Sequence, residues 1–159
     1  MLDIAPSRTA LVGVMLRRAI ADTAKRYQPD TTTQSPRERV FDAILSWFEA
    51  QNARKKAIRA LYADLKREPL TLVSLRGDFA GAAGSLLALA ENDAGAVSSV
   101  RAMYICGVIG RALPVWLADD DNMGRSMAQI DRDLRRVERF LWPAEKPKQK
   151  PRRKRQSRK

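Results

Sequence analysis

Few residues in this sequence have the types and spacing to do chemistry. Asp119, Asp120 and Asp121 stand in a row, and hard cations take oxygen ligands. Consecutive side chains point in different directions, however, and no regular oxygen-ligand loop surrounds these three. Their expected work is to punctuate a turn and to favour the positive N-terminus of the helix that follows. Cys106 could be a nucleophile only as a thiolate; it sits in an apolar run with no adjacent His or Lys, which predicts an inert core thiol. Gly77, Gly81 and Gly84 lack both the GxGxxG spacing and the preceding strand of a phosphate cradle.

What is missing excludes more. The chain has no histidine, and so no Ser-His-Asp or Cys-His pair, no imidazole base near neutral pH and no His-containing zinc site. One cysteine forms no intrachain disulfide and no multi-cysteine metal cluster. The expectation is a protein that is not an enzyme, with no metal and no cofactor.

The remaining chemistry is charge. Nine basic residues and no acid lie between Lys146 and Lys159. Removing those nine from the 30 Lys+Arg leaves 21 against 18 Asp+Glu, so residues 1–145 carry only +3 of the formal +12. Pro143, Pro147 and Pro151 punctuate a segment with no apolar residue after Ala144, which predicts a disordered cationic tail over 142–159. Its Lys150, Arg152, Arg153, Lys154, Arg155 and Arg158 are the candidate contacts to an anionic surface. Both nucleic acid and anionic membrane present one, and binding to nucleic acid would be non-specific and salt-sensitive.

The elements that must position any site are helical. With 45% apolar residues among 159, the chain can bury a core, and no stretch shows sustained strand alternation. Six helices are predicted. The first, about Ser7 to Tyr27, spaces Leu11, Val14, Met15 and Ala19 on one face and is closed by Pro29. The second opens at Ser35-Pro36-Arg37-Glu38, a capping box with proline in the first turn, and carries Val40, Phe41, Ile44, Leu45 and Phe48 on one face with Trp47 at its edge. The third spans about Ala53 to Lys66, with a stripe of Ile58, Leu61, Tyr62 and Leu65.

The fourth runs from Pro69 to about Glu91 and clusters Gly77, Gly81, Ala82, Ala83, Gly84 and Ser85, a pattern that suits close helix approach or clearance for a ligand. The fifth, about Ala96 to Ala118, is apolar nearly all round and should kink at Pro114. Arg111 and Pro114 interrupt it, and Arg101 and Asp119 bound it, so it reads as a buried core helix, not a membrane span. The sixth carries Met123, Met127, Ile130, Leu134, Val137 and Leu141 in a heptad seam. Its Asp131, Asp133, Arg135 and Arg136 read as solvated pairs. No convincing targeting segment precedes the first helix, which implies a soluble, cytoplasmic protein.

Three stretches together resemble the TetR-type transcriptional regulators, in a branch close to the ubiquinone-biosynthesis lipid-binding proteins of the same fold. They are APSRTALVGVMLRR from Ala5 to Arg18; PRERVFDAILSWFEA from Pro36 to Ala50 with AIRALYADL from Ala57 to Leu65 and then Glu68-Pro69; and VWLADDD from Val115 to Asp121 leading into MAQIDRDLRR from Met127 to Arg136. The first resembles the helix joining the family's DNA-reading module to its regulatory domain. Only six residues precede Ser7, so the resemblance implies the regulatory, ligand-binding and dimerising part without its reader.

On that resemblance the expected organisation is a connecting helix and linker over 1–34, a regulatory bundle over 35–141, and the tail. Helices two to five would enclose an effector pocket for a small apolar ligand, with Phe48, Tyr62, Phe79, Tyr104 and Trp116 as candidate lining residues. The last two helices would pair across a two-fold axis to make a homodimer. The alternative is a lipid- or quinone-handling accessory protein with the same bundle.

Overall fold

A computed structural model describes residues 8–92 and 98–142. Among them are seven α-helices, one 3₁₀ turn and no strand. The helices are α1 (Arg8–Ala24), α2 (Pro36–Ala50), α3 (Lys55–Leu65), α4 (Pro69–Ser74), α5 (Arg76–Glu91), α6 (Ser99–Ala118) and α7 (Gly124–Leu141), with the 3₁₀ turn at Asn52–Arg54. Residues 143–159 of the expected tail lie outside the described residues, and with them the anionic-surface contacts expected of Lys150, Arg152, Arg153, Lys154, Arg155 and Arg158.

Local signals account for most boundaries. The Ser35 hydroxyl accepts from the backbone N–H of Glu38 at 3.3 Å, and the Glu38 carboxylate accepts from the Ser35 N–H at 2.7 Å, which closes the capping box at the start of α2. Asn92 ends α5 in the left-handed region, φ 52°, where a short amide side chain is tolerated. The Asp119 carboxylate accepts from both the backbone N–H and the hydroxyl of Ser126 at 2.7 Å, so it caps α7 from seven residues upstream.

One expected element is divided. The predicted helix from Pro69 to Glu91 is two helices, making seven where six were expected. They meet at Leu75, which is wholly buried, whereas Leu70 and Val73 stand in solvent. The Ser74 hydroxyl donates to the Thr71 carbonyl at 2.8 Å, alongside the Leu75 N–H, and such back-bonding bends a helix. The bend lets Leu75 join Val12 and Leu65 in a small apolar cluster.

In the bundle α5 lies against α1, α2 and α6, while α7 closes the far side against α6 and α2. The helix expected as a connector, α1, packs against α2 and α5 as part of this bundle. The larger core cluster joins Phe48, Ile44, Leu87, Ile105, Trp116, Ile130 and Leu134. By contrast, the close backbone neighbours of α3 are mainly the 3₁₀ turn before it and α4 after it. It is the helix set off from the rest.

Among the described residues one helix, α6, is long and apolar enough to cross a membrane by length and composition. In the bundle it directs Ala102, Ile105, Val108, Ala112 and Trp116 inward and leaves Val100 and Met103 exposed.

Candidate ligand-binding site

The two apolar clusters do not meet. Between them lies a cavity of about 270 Å³. This is near the lower end of small-molecule sites, about 300 Å³. Its walls come from four helices that are distant in the chain: Val12, Leu16, Ala19 and Ile20 of α1; Ile58, Leu61, Tyr62 and Leu65 of α3; Phe79, Ala82, Ala83 and Leu86 of α5; and Cys106, Ile109, Gly110 and Leu113 of α6. Met15 of α1, Leu72 of α4 and Trp47 of α2 also line it, with Gln51 just after α2. Because α3 stands off from the bundle, its apolar stripe reaches across a gap that shorter side chains on α5 leave unfilled.

The small residues of α5 thus divide their work. Ala82 and Ala83 face the cavity and give it room, whereas a Cβ at Gly84 would lie 3.5 Å from that of Ala102, so Gly84 serves the close approach of α5 and α6. On α6, Pro114 has no N–H for the carbonyl of Gly110, four residues earlier, and Gly110 lines the cavity.

Two polar groups stand out in this apolar lining. Trp47 Nε1 and Gln51 Nε2 are buried N–H donors with no hydrogen-bond partner. They are four residues apart, one turn along the same face, and both residues line the cavity. The orientation of the Gln51 amide follows from its other end, since its carbonyl oxygen accepts from Arg54 Nη1 at 3.2 Å. Arg54 is in turn anchored to Asp22 of α1 at 3.4 Å. Leaving a buried donor unmet costs about 1–3 kcal/mol, so two such donors at one cavity call for an acceptor. Cys106, also in the lining, has its thiol pushed up by burial, which favours the neutral form.

Of the five aromatic residues expected to line a pocket, the cavity brings together Tyr62 and Phe79. The other three are placed elsewhere. Phe48 and Trp116 are wholly buried in the larger cluster, ring centroids 5.2 Å apart, and the Trp116 indole N–H donates to Asn52 Oδ1 at 3.2 Å. Tyr104 stacks on Phe140 of α7 at 5.1 Å. Their size and helical position predicted an inward direction, but the inside has two regions, and these three face the filled one or its edge.

Trp47 and Gln51 were not among the expected residues. A signal existed for Gln51: it lies seven residues after Ile44 and three after Phe48, a polar residue on an apolar stripe. Of the three carboxylates at 119–121, Asp119 caps α7 and Asp120 accepts from the Asn122 N–H at 3.2 Å. Comparison of the chain with family models, curated proteins and solved structures finds no match.

Proposed function

We propose that this bundle is a ligand-binding regulatory domain whose effector is a small apolar molecule carrying a hydrogen-bond acceptor, and that it works as a homodimer. The observation that carries the reading is the pair of buried, unpartnered donors, Trp47 Nε1 and Gln51 Nε2, on two residues in the wall of an otherwise apolar cavity. A carbonyl oxygen has two lone pairs and can accept from both. Support for the dimer comes from Val100 and Met103 on α6, large apolar side chains left in solvent, and from Phe140 on α7, partly exposed beside Tyr104.

The test compares a ketone with a hydrocarbon of similar size. Methyl octyl ketone and decane are titrated against the protein while tryptophan fluorescence is followed, since Trp47 lies in the wall. The ketone should bind about ten-fold tighter or more, and Gln51→Leu should remove most of that advantage. Equal binding of the two compounds would refute the acceptor, and binding of neither would refute the reading.

A further inference from the structure

The cavity has a neighbour. Between α3 and the end of α6 lies an open groove of about 760 Å³, lined by Arg59, Tyr62, Ala63, Lys66, Arg67, Pro114, Leu117 and Ala118. Tyr62 belongs to both walls, and Leu113 of the cavity is followed directly by Pro114 of the groove. The two spaces therefore share a border, apolar on one side and cationic on the other. The groove lining contains three cations and no acid, in a body whose overall excess of positive charge is small.

These cations are not consumed internally. Neither Lys66 nor Arg67 makes an ion pair among the described residues; Lys66 Nζ lies 5.7 Å from the Tyr62 ring centroid. Arg59 gives one N–H to the Leu117 carbonyl, and a guanidinium has five. The dipole of α3 would favour cations at its end, but Arg59 is in its middle.

Resting on the cavity reading above, the geometry points to an anionic amphiphile as the ligand. Its apolar chain, with a polar atom for Trp47 and Gln51, lies in the cavity. Its carboxylate or phosphate head lies past Tyr62 in the groove, on Arg59, Lys66 and Arg67. One helix, α3, thus reads both parts: Ile58, Leu61 and Leu65 meet the chain, and the next face meets the head.

The test uses the full chain and four probes: decanoate, decyl phosphate, neutral decanol, and inorganic phosphate. Binding is followed by calorimetry at low and high salt. Both anionic chains should bind about five-fold tighter than decanol at low salt, and the advantage should shrink as salt rises. The double variant Lys66→Gln, Arg67→Gln, at two exposed positions, should collapse the anion-to-alcohol ratio toward one, with its thermal midpoint reporting that it folds. Two results overturn the anionic head yet leave the cavity reading standing: decanol binding as tightly as the anions, or a ratio unchanged in the variant. Inorganic phosphate binding as well as decyl phosphate overturns the joint reading, because the chain then adds nothing. No binding by decanoate, decyl phosphate or decanol overturns both.

Discussion

Arg111 Nε donates to Asp133 Oδ2 across 2.9 Å, and this contact joins α6 to α7. The Asp133 side chain is only 5% exposed and also accepts from Gln129 at 2.7 Å and Arg136 at 3.3 Å on its own helix. In sequence it looked like one more solvated charge. Asp133→Ala removes all three hydrogen bonds and should destabilise the fold by about 2 kcal/mol, whereas Arg111→Ala should cost about half that, because the carboxylate keeps two partners and Arg111 is largely in solvent. Urea unfolding of both variants checks the order.

The donors at the cavity should trade stability against binding. Trp47→Phe and Gln51→Leu each remove a buried N–H that lacks a partner, so neither change should destabilise the ligand-free protein by more than about 1 kcal/mol. Both should weaken the binding of methyl octyl ketone. Thermal midpoints and titrations on the same samples separate the effects; a large loss of stability with ketone binding intact would contradict the assignment.

At the start of α7, burial pushes the Asp119 carboxyl up, but the hydrogen bonds from the Ser126 hydroxyl and N–H and from the Asp120 N–H outweigh it and hold it below the usual carboxylate range. A depressed folded value means that the unfolded chain takes up the proton first as pH falls. The cap therefore stabilises the fold above the ordinary carboxylate range, and that contribution is lost on acidification through the folded value. Asp119→Ala should cost about 1 kcal/mol at neutral pH and flatten the acid limb of a stability profile.

Tyr27 predicts the alkaline limb. Burial and then the Asp42 carboxylate raise its phenol to about 12, against the lowering effect of Arg39, and its hydroxyl donates to the Arg39 carbonyl at 2.8 Å. The unfolded phenol ionises from about pH 10 while the folded one stays neutral. Stability present below pH 10 is then lost as pH rises toward the folded value. Tyr27→Phe should remove this dependence, seen as the difference between two denaturation series from pH 9 to pH 12.

The proposed dimer is tested on α6. Met103 is 65% exposed and Val100 59%, so a charge at Met103 should leave the monomer fold intact. Light scattering should give twice the chain mass for the wild type and one chain mass for Met103→Glu. A wild-type monomer at micromolar concentration would refute the dimer.

What this sequence determined by itself was local. Helical periodicity located the segments, the Ser35 to Glu38 box marked the start of α2, the fourth predicted helix stopped at Glu91 where α5 does, and the heptad of α7 put Ile130, Leu134 and Leu141 inside. These follow from bonds and contacts within a turn or two of chain. The same logic recovered Tyr62 and Phe79 as inward-facing aromatics, but it could not separate them from Phe48 and Trp116, because a period of 3.6 states which side of a helix is covered and not whether the neighbour fills the space.

The tertiary structure alone decided the rest. The cavity exists because α3 stands off while α1, α5 and α6 converge, a relation among residues from Val12 to Leu113 that no local pattern encodes. The bend at Leu75, the burial of Asp133, the unpartnered donors of Trp47 and Gln51, and the border between cavity and cationic groove at Tyr62 all have that origin. Each depends on which surfaces arrive opposite one another, and close packing settles this only when the whole chain has folded.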